Sequence, residues 1–218
     1  SEDVLKTDRN FSKIISLSKD RLLLLDNHNN CLYLIDQNFS ILNSLNYETN
    51  LLFSFATKSI KLNGFLLAGT FNKIDLLIRE IYIENDEFVF KYNYEIPHVS
   101  KVEGIVDSIK DKFIISDIDK SRVISFNKVN HQYKDICSFG RFGKSKVRKP
   151  GELIFHYGKI LLCDRHNYLI QIFDTDGKYL SQIGGKGRNG QEFDLPSSLV
   201  SLDQNNFLIA DMNNDRLV

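Results

Sequence analysis

Carboxylates recur at regular places in this sequence, each at the end of a short apolar run, and they are the first candidates for chemistry. These residues are Asp26, Asp117, Asp164 and Asp211. Imidazoles stand two residues after the first and third of them, at His28 and His166. Carboxylate oxygens suit Ca²⁺ and imidazole nitrogens suit Zn²⁺, so a bound metal is one possible chemistry. An aspartate that opens a turn also accepts backbone N–H groups two residues on, and its repetition suits a scaffold. We therefore predict structural aspartates and no metal site.

A basic stretch is the second candidate. Residues 141–149, RFGKSKVRK, carry five positive and no negative side chains, and the equivalent stretch of the next repeat adds two more cations. If the turns after the aspartates lie on the same side of the fold as these stretches, Arg165 and His166 of the turn after Asp164 lie next to the cations. The predicted ligand-binding residues are Arg141, Lys144, Arg148, Lys149, Arg165, His166, Lys186 and Arg188. Such a face would attract an anionic partner with an affinity that falls as salt rises.

Motifs that would name a reaction are absent from the sequence. There is no Gly-x-Ser-x-Gly, no His-Glu-x-x-His and no phosphate-binding glycine loop followed by Lys-Ser/Thr. The glycines at 184, 185 and 187 stand between two predicted strands and not before a helix, which argues against nucleotide binding. We predict no catalytic residue and lean against an enzyme.

Composition narrows the class further. The 28 basic and 28 acidic residues cancel, which argues against a generally basic nucleic-acid binder. No apolar run approaches the roughly 18 residues that span a bilayer, so no membrane span is expected. Three cysteines without close Cys or His partners are expected to be buried thiols and do not settle the compartment.

A repeat of strands must position these residues. Aligning the apolar runs by their last residue gives positions 26, 70, 117, 164 and 211, with spacings of 44, 47, 47 and 47. A polar turn, a second apolar run, another turn and two further short runs follow in each period. Runs of four to eight residues bounded by Asn, Asp and Gly are typical of strands, and helical periodicity is lacking. The second repeat is irregular, and two longer strands hinged at residues 84–87 would explain it.

A more specific motif runs over residues 159–211. Gly158 precedes the strand that ends in Asp164, Asn167 follows, and then come Ile170-Gln171-Ile172-Phe173, Asp176-Gly177, Gly184-x-x-Gly187 and Pro196. This motif resembles the NHL repeat. Residues 112–157 match more loosely. The resemblance implies an all-β fold, a β-propeller of four-stranded blades, commonly six in a closed ring. This sequence would supply four complete blades and a partial fifth. We expect residues 1–218 to form one propeller domain, incomplete at its C-terminus.

The resemblance also bears on function. Proteins of this kind mostly act as binding platforms, so the leading hypothesis is a noncatalytic scaffold that presents a loop face to a protein or an anionic polymer. One alternative is a metal-dependent lyase or hydrolase with Ca or Zn in the central channel. RNA binding through the basic face is another, although nucleic acid is not favoured because few aromatic residues accompany the cations. Similar free-standing propellers are often exported, which favours a bacterial envelope or secreted setting.

Overall fold

The computed structural model describes most of the chain, which its internal contacts divide into two compact units. The described residues are 11–26, 28–47, 51–58, 64–71, 75–99, 101–108, 111–139 and 146–218. The units comprise residues 1–100 and 101–218. Within the described residues, regular structure consists of strands and two short 3-10 turns, and no helix there is long and apolar enough to cross a membrane. That residues 1–218 form a single domain stays a prediction.

The first unit contains two four-stranded antiparallel sheets, which we call blades one and two. Blade one consists of β1 (Phe11–Ser16), β2 (Arg21–Asp26), β3 (Cys31–Asp36) and β4 (Ile41–Asn46). Blade two consists of β5 (Leu51–Lys58), β6 (Gly64–Phe71), β7 (Asp75–Glu84) and β8 (Glu87–Ile96). Side chains such as Leu23, Leu34 and Phe65 form one apolar core between the two sheets. In every blade we label the strands a to d in chain order.

The second unit continues the same pattern, with blades three and four and a shorter blade five. Blade three consists of β9 (Val102–Ser108), β10 (Lys112–Asp117), β11 (Arg122–Asn127) and β12 (Tyr133–Phe139), extended by β13 (Lys146–Val147), which pairs with β12 in parallel. Blade four consists of β14 (Pro150–His156), β15 (Lys159–Asp164), β16 (Leu169–Asp174) and β17 (Tyr179–Gly184). Blade five consists of β18 (Pro196–Ser201), β19 (Phe207–Asp211) and β20 (Arg216–Leu217). The four complete blades and the partial fifth confirm the predicted strand repeat.

Strand β15 shows why the second strand of a blade is apolar throughout. Successive side chains of a strand point to opposite faces. Ile160 and Leu162 belong to the core between blades three and four, whereas Leu161 and Cys163 belong to the core between blades four and five. All four are fully buried or nearly so. A central strand covered on both faces by neighbouring blades has no solvent side on which a polar residue would be favoured.

The turn between strands b and c shares one backbone feature in four blades. The fourth residue after each aspartate has a positive φ: 50° at Asn30, 49° at Ser121, 61° at Tyr168 and 50° at Asp215. Non-glycine residues adopt this conformation rarely, so the surrounding contacts must hold it. In blades four and five, the 3-10 turns Arg165–Asn167 and Met212–Asn214 precede that residue.

Blade two has the lengthened outer hairpin that its irregular sequence predicts. Strands β7 and β8 have ten residues each. Their connection passes through Asn85 and Asp86, both with positive φ, as a two-residue hairpin turn requires. Arg21 of blade one holds this turn through bonds to both carboxylate oxygens of Asp86, at 2.8 and 3.1 Å. The hairpin is therefore tied to its neighbour within the first unit.

Candidate functional site

The aspartate of blade four fixes the loop that carries part of the predicted basic face. One oxygen of Asp164 accepts the backbone N–H of Arg148 at 2.8 Å. Its other oxygen accepts the side-chain amides of Asn167 at 2.8 Å and Gln171 at 2.7 Å. In return, the backbone N–H of His166 donates to the Arg148 carbonyl at 3.1 Å. Loop and turn are thus locked together by bonds that run in both directions.

Blade five repeats this two-way lock with different side chains. Asp211 accepts the backbone N–H of Asp194 at 2.7 Å, and the N–H of Asn213 donates to the Asp194 carbonyl at 3.0 Å. The second oxygen of Asp211 accepts from Asn214 and from the guanidinium of Arg216, both at 2.8 Å. In blades four and five, the repeated aspartate therefore holds the loop before strand a.

The aspartates of the two earlier blades stabilise their own turns. Asp26 accepts the N–H groups of His28 and Asn29 at 3.0 and 3.1 Å, which confirms the predicted bond two residues on. Asp117 accepts the N–H of Lys120 and pairs with Arg122 at 3.1 Å. All four repeated aspartates are fully buried. Their bonds confirm the structural role predicted for them.

The last two aspartates differ in charge environment. Burial raises the pKa of Asp164 to about 6, against the lowering effect of the bonds from Arg148, Asn167 and Gln171. Burial also acts on Asp211, but the bonds it accepts and the charge of Arg216 outweigh it and lower the pKa of that carboxyl. The neutral side chain of Gln171 thus bonds to Asp164, whereas the cationic side chain of Arg216 bonds to Asp211.

We expect the folded protein to gain stability from Asp164 as the pH falls from 7 to 5. Because the folded-state pKa is raised above the ordinary value of 3.8, the folded chain binds a proton in a range where the unfolded chain has released it. The gain should be about 1 kcal/mol in the free energy of unfolding. Urea denaturation of the wild type and of Asp164→Asn at both pH values measures it as a difference. An equal pH response of the two proteins would contradict the prediction.

Four of the predicted binding residues come together at the loop and turn of blade four. His166 is exposed, while Arg148, Lys149 and Arg165 are half-buried. The pKa of His166 is lowered by partial burial first and then by the positive charges of these three neighbours. The loop residues Arg148 and Lys149 thus lie beside the turn residues Arg165 and His166, with the His166 N–H bonded to the Arg148 carbonyl.

Of the four remaining predicted binding residues, the structure describes Lys186 and Arg188. The Lys186 ammonium lies 5.1 Å from the ring centre of Tyr168, the last residue of the blade-four turn, which connects Lys186 to the cluster. Arg188 is exposed, and its carbonyl accepts a bond from Arg216 of blade five. Arg141 and Lys144 lie outside the described residues.

Arg165 has a wider reach than its sequence position suggests. Its Nη2 donates to Glu103 of β9 at 3.1 Å and lies 3.5 Å from the Ser197 carbonyl of β18. Between them the guanidinium covers Gly151 of β14, where an added Cβ would lie 2.6 Å from Nε. One side chain thus crosses the first strands of three consecutive blades. A glycine inside a strand is a signal of close approach, but Gly151 does not identify its partner from the sequence.

The described residues contain no group of three or more His, Cys, Asp or Glu side chains placed to hold a metal ion. His98 is exposed, and its backbone N–H donates to Asp75 within the first unit. Glu103 pairs with Arg165 and, at 3.7 Å, with Lys101. Among the described residues, the candidate site is therefore the basic cluster together with Glu103, the carboxylate that pairs with Arg165.

Four-stranded antiparallel blades stacked on apolar faces define this chain as a β-propeller protein. The DUF5128 family model, described as a 6-bladed beta-propeller, matches residues 143–218. No curated protein sequence matches the chain. The predicted propeller fold is confirmed.

Solved structures of similar architecture support the same class. A protein of unknown function from Bacteroides caccae is 12% identical, with a TM-score of 0.73 over 95% of this chain and 72% of its own. A Streptogramin B lyase is 11% identical, with a TM-score of 0.75 over 99% of this chain and 66% of its own. An auxiliary nutrient binding protein from Bacteroides thetaiotaomicron is 13% identical, with a TM-score of 0.63 over 95% of this chain and 58% of its own. This chain spans only part of each structure, and identities this low show the fold alone.

Proposed function

We propose that this protein is a noncatalytic binding module whose second unit presents a basic loop face to an anionic segment of a partner protein or polymer. The basic loop face comprises Arg148, Lys149, Arg165, His166, Lys186 and Arg188. The observation that carries the proposal is the bonding of the Arg148 backbone to Asp164 and His166, which brings the basic residues of the loop and of the turn together. An anionic partner would offset the mutual repulsion of these cations.

The backbone supports this function because it fixes the cations before a ligand arrives. Arg148 is held through its own N–H and C=O groups, so the bonds that position this residue do not use its guanidinium. Binding to a rigid loop avoids part of the ordering entropy that a mobile loop would lose. A similar fold in an auxiliary nutrient binding protein is compatible with a binding role, although fold alone does not transfer function. We also assign the blades to the NHL type on the motif at residues 159–211.

Replacing Arg148 and Lys149 with Gln together should weaken binding to an acidic polymer about tenfold at low salt, because two positive charges leave the face. Fluorescence anisotropy with labelled oligoglutamate, oligouridylate and heparin measures the affinity, and each titration is repeated at higher salt. The affinity of the wild type should fall with salt more steeply than that of the variant.

A matched control removes two lysines from the opposite turns of the same blade. Lys159 and Lys178 are exposed at the a–b and c–d connections, so their change to Gln lowers the net charge equally. The control should bind like the wild type. Equal losses in both double variants would assign the binding to net charge and reject the basic loop face. If oligouridylate alone bound with high affinity, RNA would replace the proposed ligand class.

A further inference from the structure

The side chain of Arg165 contacts strand a of three consecutive blades. Glu103, Gly151 and Ser197 are the second residues of equivalent stretches of strand a, as the pairing of Val102, Pro150 and Pro196 with the three aspartates shows. The guanidinium bonds to the first, covers the second and approaches the carbonyl of the third. A side chain at position 151 would fill the space that the guanidinium uses. Gly151 therefore makes room for Arg165.

The guanidinium keeps unused hydrogen-bonding capacity. Arginine has five N–H donors in a planar fork, but both bonds of Arg165 come from Nη2. Its Nε is buried without a hydrogen-bond partner among the described residues. The Arg165 side chain as a whole is 22% exposed. Nη2 is thus the guanidinium nitrogen that bonds to the described residues, and other N–H donors of Arg165 remain for a ligand.

Glu103 is the present occupant of this fork, and it is loosely held. Its Oε2 lies 3.1 Å from Arg165 and its Oε1 lies 3.7 Å from Lys101. The carboxylate side chain is 25% exposed. A partly exposed ion pair of this kind contributes about 1 kcal/mol or less. Exchanging Glu103 for a carboxylate from outside would therefore cost little.

We propose that Arg165 is the anchor for a side-chain carboxylate of an acidic peptide, and that Glu103 holds the anchor in competition with that ligand. This inference rests on the proposed function and specifies its ligand. Glu103 itself shows that a carboxylate oxygen can reach Nη2 of this guanidinium, at 3.1 Å, and a ligand carboxylate could use the remaining donors as well. The Arg148 carbonyl accepts the His166 N–H at 3.1 Å, so Arg148 and Lys149 lie beside the same turn and would meet further acidic residues of the peptide.

Peptide is favoured over nucleic acid by the aromatic residue next to the site. Single-stranded nucleic acids bind strongly where bases stack on open aromatic rings. The ring of Tyr168 is half-buried and lies under the Lys186 ammonium. A base would have to displace that lysine before it could stack. Carboxylates need only the cations that the face already presents.

Changing Glu103 to Gln should strengthen binding of labelled oligoglutamate about fivefold, because the fork and Lys101 lose their internal competitor. Fluorescence anisotropy at low salt measures the dissociation constant. Replacing Arg165 with Ala in the Glu103→Gln background should remove the gain, and Arg165→Lys should restore only part of it, since lysine lacks the fork. Thermal unfolding of each variant shows that the fold is retained.

Glu152→Gln is the matched control. Glu152 lies next to Gly151 on β14 and bonds to Ser198 and to the Leu199 N–H, so its change alters the net charge equally without releasing Arg165. It should bind like the wild type. Equal gains from Glu103→Gln and Glu152→Gln would reduce the effect to net charge and overturn the inference.

Other outcomes separate this inference from the proposed function. If the Arg148/Lys149 double variant weakened binding while Glu103→Gln matched the wild type, the basic loop face would stand and the anchor would be wrong. No binding of oligoglutamate, heparin or oligouridylate by any variant would overturn both. Tightening confined to oligouridylate would overturn the acidic-peptide ligand.

Discussion

Replacing Asp164 with Ala is expected to lower the free energy of unfolding by about 3 kcal/mol, because buried donors left without acceptors cost about 1–3 kcal/mol each. The Arg148 N–H and the amides of Asn167 and Gln171 all lose the same carboxylate. Asn167 and Gln171 are buried, so water does not replace the lost acceptor easily. Relief from burying a carboxylate of raised pKa offsets part of the loss. Chemical denaturation at pH 7 measures the difference.

Asp203→Ala is the control for this prediction. Asp203 also accepts backbone N–H groups, those of Asn205 and Asn206, but it stands in an exposed turn. Water can replace its bonds, so the change should cost less than about 1 kcal/mol. If both alanine variants lost the same stability, burial would not be the reason that the repeated aspartate matters.

Gly104→Ala should lower the free energy of unfolding by about 2–3 kcal/mol, a typical loss when a group is forced into filled space. A Cβ at this position would lie 2.5 Å from the backbone nitrogen of Leu153 and 3.1 Å from two backbone carbons of Glu152. Backbone atoms cannot rotate away, so β9 and β14 would have to separate. That movement would also strain the bond from Ser116 Oγ to the Gly151 carbonyl, now 2.8 Å long. Thermal and urea denaturation give the measured loss.

Gly185 provides the comparison for the glycine variant. An added Cβ there meets no heavy atom within 4 Å, and its φ is not positive. Gly185→Ala should leave stability unchanged or raise it by up to about 1 kcal/mol through lower entropy of the unfolded chain. A neutral Gly104→Ala would show that the first strands of blades three and four can move apart without penalty.

The strand repeat was predictable because it depends on local patterns. Apolar runs, turn residues and spacing specify where strands begin and end, and even the long hairpin of blade two followed from its interrupted pattern. The role of the aspartates was predicted only in part. Asp26 makes the local bond expected of a turn, but Asp164 reaches Arg148, which lies sixteen residues earlier in the chain. Such a bond depends on the pairing of strands a and b, which spacing alone does not determine.

The candidate site was predictable as a set of charges and not as a geometry. The cations of the third aspartate turn and its preceding loop do meet, as the repeat suggested. The contact between Arg165 and Glu103 was missed because 62 residues separate them and each has an ordinary sequence context. Gly104 and Gly151, at adjacent strand positions of neighbouring blades, were the one available sign. They mark close approach but do not identify what approaches.

The lock between loop and turn uses backbone atoms on the loop side, and this has an evolutionary consequence. Arg148 and Asp194 carry opposite charges, yet their N–H groups make the same bond to the aspartate of their own blade. The side chain at this position can therefore change from cation to anion while the scaffold stays intact. Substitutions at this position can therefore change the charge of the face in one blade without affecting the others. Related propellers can in this way bind different ligands while they keep the same fold.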